Sequence, residues 1–139
     1  MTVKPPANKH KIIMLIDDNE IDNFINEKII KASLFSENVY VHTSSKSALE
    51  FLKNIETSKT LLAKDFLPTY IFLDINMPLL DGFQFLDEFE KFSPDFVNNM
   101  KVVMLTTSLN PSDIEKSRKY KSVVKFLHKP LTEIELGNL

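Results

Sequence analysis

The stretch YIFLDINMPLLDG, residues 70–82, decides the fold. Its first five residues, Tyr70–Asp74, form a continuous apolar run of aromatic and β-branched type ending on a carboxylate. A run of that length and composition is a strand, and the lack of polar alternation marks it as covered on both faces. Ile75, Asn76, Met77 and Pro78 then break the pattern. Asp81-Gly82 reads as a turn and the start of a helix. The following segment, Asp81–Phe92, places Phe85, Leu86 and Phe89 at helical spacing, turned inward.

The same alternation continues on either side. Lys11–Asp17 (KIIMLID) and Val102–Thr106 (VVMLT) are two more continuously apolar strands. Asn38–Thr43 (NVYVHT) and Val123–Leu127 (VVKFL) are weaker strands, and Tyr40, His42 and Lys125 mark them as sheet edges. Between the strands lie segments of helical period. Asn19–Phe35 carries Ile21, Phe24, Ile25, Ile29 and Ala32, and Ser45–Ile55 carries Ala48, Phe51, Leu52 and Ile55. Pro111–Tyr120 opens with proline at a first-turn position, and a short helix starts at Glu133–Leu136. Thr57–Pro68 reads as a loop or a ragged helix end. Five strand–helix repeats predict an α/β fold, a doubly wound five-stranded parallel sheet with helices on both faces. The two edge strands fit the order 2-1-3-4-5, the flavodoxin-like arrangement, in which ligands bind beyond the carboxyl ends of the strands.

Composition narrows the function. The 139 residues suit one domain, with 43% apolar and 26% charged residues and 11 Phe, which excludes overall disorder. Residues 1–10, with Pro5-Pro6, read as a flexible lead-in, and the domain spans 11–139. The longest apolar runs are far shorter than the ~20 residues that span a bilayer, and the N-terminus has no apolar secretory core. With no export signal and no cysteine, the cytoplasm is the default location. The missing cysteines also exclude thiolate chemistry, and the spacing of His10, His42 and His128 argues against a histidine metal site. A net charge of −2 with dispersed basic residues argues against nucleic acid, and the basic stretch 116–121 (KSRKYK) reads as a solvated helix face.

Four strand ends deliver polar groups to one rim: Asp17-Asp18 after the first, Asp74 at the third, Thr106-Thr107-Ser108 at the fourth and Lys129-Pro130 after the fifth. Taken singly, each has a plainer reading: a helix cap for Asp17-Asp18, strand residues for the threonines, a turn for Lys129-Pro130. Taken together they describe a pocket. Three converging carboxylates ionise together only around a cation, and all-oxygen ligands point to a hard one, Mg²⁺. The added Lys and Thr suit an anion with several oxygens, a phosphoryl group.

These motifs resemble the receiver domain of two-component response regulators, the single-domain type typified by the bacterial chemotaxis regulator. The matching segments are Asp17-Asp18, LDINMPLLDG with Asp74, VVMLTTS and FLHKP, over residues 11 to about 136. The resemblance implies that Asp74 is the phosphoacceptor. It implies that Asp17, Asp18, Asp74 and the Asn76 backbone carbonyl hold Mg²⁺, that Thr106 and Lys129 contact the phosphoryl group, and that Thr106 and Phe126 form the switch. It also implies a cis Lys129-Pro130 bond. The implied partners are a sensor histidine kinase or phosphotransfer domain and a downstream protein, with no nucleic acid or membrane and a monomer or weak dimer. Such a chain is not an enzyme beyond its own phosphorylation and dephosphorylation. Four departures from the family pattern stand out. Thr107 replaces a usual Ala or Gly beside the phosphoryl entrance and is expected to narrow it. Ser108 and Asn76 are uncharged at positions that tune dephosphorylation. The 119–122 link (KYKS) lacks the usual Gly, and the last helix is short, with about nine residues after Pro130.

Other classes fit less well. A phosphatase with an Asp nucleophile needs a second Asp two residues on, where Asn76 stands. A flavin carrier needs a Ser/Thr/Gly-rich loop after the first strand, where DDNEID stands. A receiver-like scaffold working without phosphorylation does not need the intact acidic pair, Asp74, Thr106 and Lys129.

Overall fold

The structure is a computed structural model that describes residues 7–58, 63–107 and 109–139. Ser108, residues 59–62 of the connection before the third strand and residues 1–6 of the lead-in lie outside the described residues. The strands are β1 (His10–Ile16), β2 (Ser36–His42), β3 (Tyr70–Asp74), β4 (Lys101–Thr106) and β5 (Val123–His128). The helices are α1 (Glu20–Ala32), α2 (Ser45–Thr57), α3 (Gly82–Phe89), α4 (Pro94–Val97), α5 (Pro111–Ser117) and α6 (Glu133–Gly137), with a 3-10 turn at Ala63–Phe66. The strands are parallel in the order β2-β1-β3-β4-β5, as the apolar patterns predict.

The sheet separates two cores. Met14, Ile16, Ile71, Leu73, Val102 and Met104 face α2 and α3, where they meet Ala48, Leu52, Phe85, Leu86 and Phe89. Ile13, Leu15, Phe72, Val103, Leu105 and Leu127 face the other way, toward Ile30 of α1 and Leu136 of α6. The apolar residues of the central strands are thus divided between two covered faces, which is why the buried runs of β1, β3 and β4 show no polar alternation.

Helix α3 starts where the sequence places it. Asp81 caps it through a reciprocal pair: the Asp81 carboxylate accepts from the Gln84 N–H, and the Gln84 side chain accepts from the Asp81 N–H, both at 2.9 Å. It ends at Phe89, not Phe92. Pro94 bars the residue before it from helical geometry, and Ser93 is extended with ψ 143° before the single turn of α4, which the sequence reading did not foresee. Phe92 still packs edge-on against Phe89, with ring centroids 6.2 Å apart. Helix α5 has Pro111 in its first turn as expected, and it stops at Ser117 rather than Tyr120. The basic stretch is a solvated face: Lys116, Arg118, Lys119 and Lys121 are exposed, and Arg118 pairs with Glu115 at 3.1 Å.

The early apolar positions of α1 are not its buried ones. Ile21, Phe24 and Ile25 are 70%, 59% and 40% exposed, whereas Asn23, Asn26 and Ile30 are buried. The asparagines are needed inside because α1 begins on the polar rim of the sheet, where the backbone ends around it require hydrogen-bond partners.

Candidate functional site

Asp17 follows β1, Asp74 closes β3, Thr106 closes β4 and Lys129 follows β5, so the parallel sheet brings all four to one rim. All four are buried, with exposures of 4%, 6%, 1% and 8%. Carboxylates and lysines are rarely buried unless paired. Here the Lys129 Nζ lies 2.5 Å from Asp17 Oδ2, 3.1 Å from Asp22 Oδ2 and 3.2 Å from Asp74 Oδ1. Asp18 is exposed at the mouth, and Asp17, Asp18 and Asp74 each offer a carboxylate oxygen within 4.8 Å of the others.

Local sequence explains these positions. The residue that caps α1 is Asn19, whose side chain accepts from the N–H groups of Ile21 (3.0 Å) and Asp22 (3.1 Å). That releases Asp17 and Asp18 from the capping role either could have taken. Asp17 Oδ1 accepts the Asn19 N–H at 2.9 Å, which leaves Oδ2 for Lys129. Asn23 donates to the Asp17 carbonyl at 2.7 Å, and Asn26 accepts from the Leu131 N–H at 3.0 Å. The inner face of α1 therefore pins the end of β1 and the chain just past Lys129. The Lys129 N–H donates to the Thr106 carbonyl at 2.7 Å, which carries the β4–β5 pairing one step beyond the strand. The Lys129-Pro130 bond is cis, as the family resemblance implied.

Electrostatics mark Asp74 as unusual. Burial first, then the negative charge of Asp17, push its pKa up to about 6. Asp18 adds to this, and Lys129 pulls the other way. For Lys129, burial alone lowers the pKa, but its hydrogen bonds to Asp17 and Asp22 and the charges of Asp74 and Asp17 outweigh it and raise the value. Three carboxylates around one ammonium, with Asp18 beside them, leave the pocket negative, and an all-oxygen set of this kind suits a hard divalent cation.

The family model of the response regulator receiver domain matches residues 13–139. The chain belongs to this family. The response regulator Rcp1 of Synechocystis is 30% identical over 111 residues, covering 78% of this chain and 69% of that protein. A two-component response regulator from Cytophaga hutchinsonii is 32% identical, with a TM-score of 0.82 over 94% of this chain and 93% of that one. The phosphorylated cyanobacterial phytochrome response regulator RcpA is 27% identical, with a TM-score of 0.70 over 93% of this chain and 87% of that one. Receiver domains are phosphorylatable signalling domains that bind Mg²⁺ at an acidic pocket and contact histidine kinases or phosphotransfer proteins. No helix among the described residues is long and apolar enough to cross a membrane.

Three further features of this receiver domain bear on the pocket. Gly82, read from sequence only as a helix start, is required by close approach. A Cβ there would lie 2.6 Å from the Asp74 carbonyl oxygen and 2.9 Å from Ile75 Cα, and the Gly82 N–H donates to the Ile75 carbonyl at 2.8 Å. The start of α3 thus rests directly on the backbone that carries Asp74. Thr107 is exposed and borders a cavity of about 210 Å³ with Asp22, Ile25, Asn26, Lys129 and Pro130. In the β3–α3 loop Asn76 is exposed, and Leu79 is 98% exposed with φ 69°. Phe126 is half-buried against the α2/α3 core and pairs in register with Met104, two residues before Thr106, on the same face of the sheet.

Asp22, Asn23, Asn26 and Gly82 were not anticipated as site residues. A signal for the helix existed: Asn19, Asn23 and Asn26 recur at helical spacing, and asparagine is a poor helix former unless its side chain is bonded.

Proposed function

We propose that this receiver domain, spanning residues 11–139 after the lead-in 1–10, accepts a phosphoryl group on Asp74. The donor is a phosphohistidine on a sensor histidine kinase or phosphotransfer domain. One observation carries this reading above all: the buried carboxylate of Asp74 faces the ammonium of Lys129 at 3.2 Å within a cluster of further carboxylates. In the transfer, an Asp74 carboxylate oxygen forms a bond to phosphorus as the phosphorus–nitrogen bond of the donor breaks. The bonding pair leaves on the imidazole nitrogen, and the product is an aspartyl phosphate.

Asp17, Asp18, Asp74 and the Asn76 backbone carbonyl are the groups proposed to hold Mg²⁺. When bound there, the ion supplies positive charge against the equatorial phosphoryl oxygens. Lys129 supplies a second positive charge to the same oxygens. Thr106 donates a hydrogen bond from its hydroxyl, and its inward movement vacates room that the Phe126 ring enters. A phenylalanine ring needs no buried hydrogen-bond partner there. The output is a changed protein-binding surface around α5, β5 and α6, on a cytoplasmic chain that is a monomer or weak dimer and takes neither nucleic acid nor membrane as partner.

With Mg²⁺ and acetyl phosphate, intact mass should rise by one phosphoryl group, and Asp74→Asn should abolish the gain. Equal labelling of that variant places the acceptor elsewhere. No labelling of the wild type favours a scaffold that works without phosphorylation.

A further inference from the structure

The Lys129 ammonium has three N–H donors, and three carboxylates surround it: Asp17 at 2.5 Å, Asp22 at 3.1 Å and Asp74 at 3.2 Å. Asp17 and Asp74 are rim residues whose other duties are evident. Asp22 is different. It sits in the first turn of α1, outside the group of carboxylates close enough to share a cation. An acidic residue in a first helical turn is ordinarily explained by the helix dipole and left to solvent. The Asp22 side chain is only 27% exposed, and its Oδ2 accepts a hydrogen bond from a lysine 107 positions away.

We propose that Asp22 is a positioning residue that restrains Lys129, holding the ammonium toward α1 in competition with the phosphoryl group on Asp74. The inference rests on the phosphoacceptor reading above. Once Asp17 serves a cation and Asp74 carries the phosphoryl group, Asp22 is the one carboxylate of the three still able to hold the lysine. Its negative charge also stands one ammonium away from a phosphoryl group of like sign, and the two repel. No bond is made or broken and no proton moves, since Lys129 is an ammonium in either position. Asp22 therefore sets how much of the time Lys129 supports the phosphoryl group. The same residue borders the cavity beside Thr107 and Pro130, so the restraint lies at the pocket's open side.

Asp22→Asn keeps the size of the side chain and removes its charge. Asp22→Ser also removes the charge, with a smaller group, and guards against a folding defect specific to asparagine. Asp22→Glu keeps the charge. Each is compared with wild type by titrating beryllofluoride, a mimic of the aspartyl phosphate, with Mg²⁺ present and fluorine NMR as the readout. Both neutral variants should bind the mimic about threefold to tenfold more tightly, and Asp22→Glu should stay near wild type. The Lys129 Nζ resonance, read without any ligand, should shift in the neutral variants and not in Asp22→Glu. Equal or weaker binding by both neutral variants overturns the restraint, and so does an unmoved Nζ resonance. A wild type that takes up no beryllofluoride overturns the phosphoacceptor reading, and the inference falls with it.

Discussion

Helices α3 and α1 make the same impression in sequence and opposite ones in space. In α3 the large residues Phe83, Phe85, Leu86 and Phe89 are all buried, the last three completely. In α1 the large residues Ile21 and Phe24 are mostly exposed, and the buried positions of the first two turns are Asn23 and Asn26. Helical spacing therefore fixes a period, and the neighbour decides which stripe turns inward. Helix α3 lies along the apolar face of the sheet. Helix α1 opens over the rim, where the Asp17 carbonyl and the Leu131 N–H need partners, and a buried polar group left without one costs about 1–3 kcal/mol.

That contrast can be broken by mutation. The largest loss is expected in α3: Phe85→Ala or Phe89→Ala should cost about 3–5 kcal/mol in urea unfolding. A loss below about 1 kcal/mol would mean that this core closes over the gap, and the contrast with α1 would fade.

Next in size is an effect of pH at the rim. The folded-state pKa of Asp74 is raised from 3.8 to about 6. The folded protein thus holds this proton more tightly than the unfolded chain. The associated stability is present below the unfolded value and is lost as pH rises through about 6. The ceiling is about 3 kcal/mol for a shift of this size. Without metal, Asp74→Asn should be more stable than wild type at about pH 8, by up to that amount, with the gain shrinking toward about pH 4. A gain that does not change with pH would assign it to packing instead of charge.

Gly82→Ala comes third. The new methyl meets backbone on two sides, at Asp74 and Ile75, and backbone yields less easily than a side chain. A loss of about 1–3 kcal/mol is expected, together with shifted amide resonances at Asp74 and Ile75. Stability at the wild-type level would show that α3 slides without cost and does not anchor Asp74.

The sequence carried most of the sheet. Three strands were unmistakable because both faces are covered, and the weak β2 and β5 are weak because they are edges. The rim is legible because Asp17, Asp74 and Thr106 each follow an apolar run directly and Lys129 follows one by a single residue, His128. What escaped was tertiary. Asp22 reaches Lys129 across 107 positions, a distance that no local pattern encodes. In sequence Gly82 resembles any glycine at a helix start; only the fold sets the Asp74 carbonyl against it. The end of α3 is hidden from the sequence because Phe92 keeps the helical spacing while Pro94 forbids the helix.

The smaller effects sharpen the α1 side. Asn26→Ala removes the acceptor for the Leu131 N–H and should cost about 1–2 kcal/mol by urea unfolding, an outcome that a surface asparagine would not give. Ile21→Ala and Phe24→Ala should stay within about 0.5 kcal/mol of wild type, Phe24 losing little beyond the contact of its ring with the Lys28 ammonium 4.8 Å away. A loss above about 2 kcal/mol at either position would mean that the early apolar stripe of α1 is packed, and the contrast with α3 would go.

Leu79 adds a consequence for laboratory selection. It holds a left-handed backbone that costs an ordinary L-residue about 1–2 kcal/mol, and its nearly bare side chain recovers none of that through burial. A library randomised at this codon and sorted only for folding should enrich glycine and asparagine, which tolerate that backbone. A second sort, for signalling in cells, should rank leucine higher only if another molecule reads the side chain. The gap between the two rankings turns a single loop position into a gauge that separates selection for folding from selection for communication.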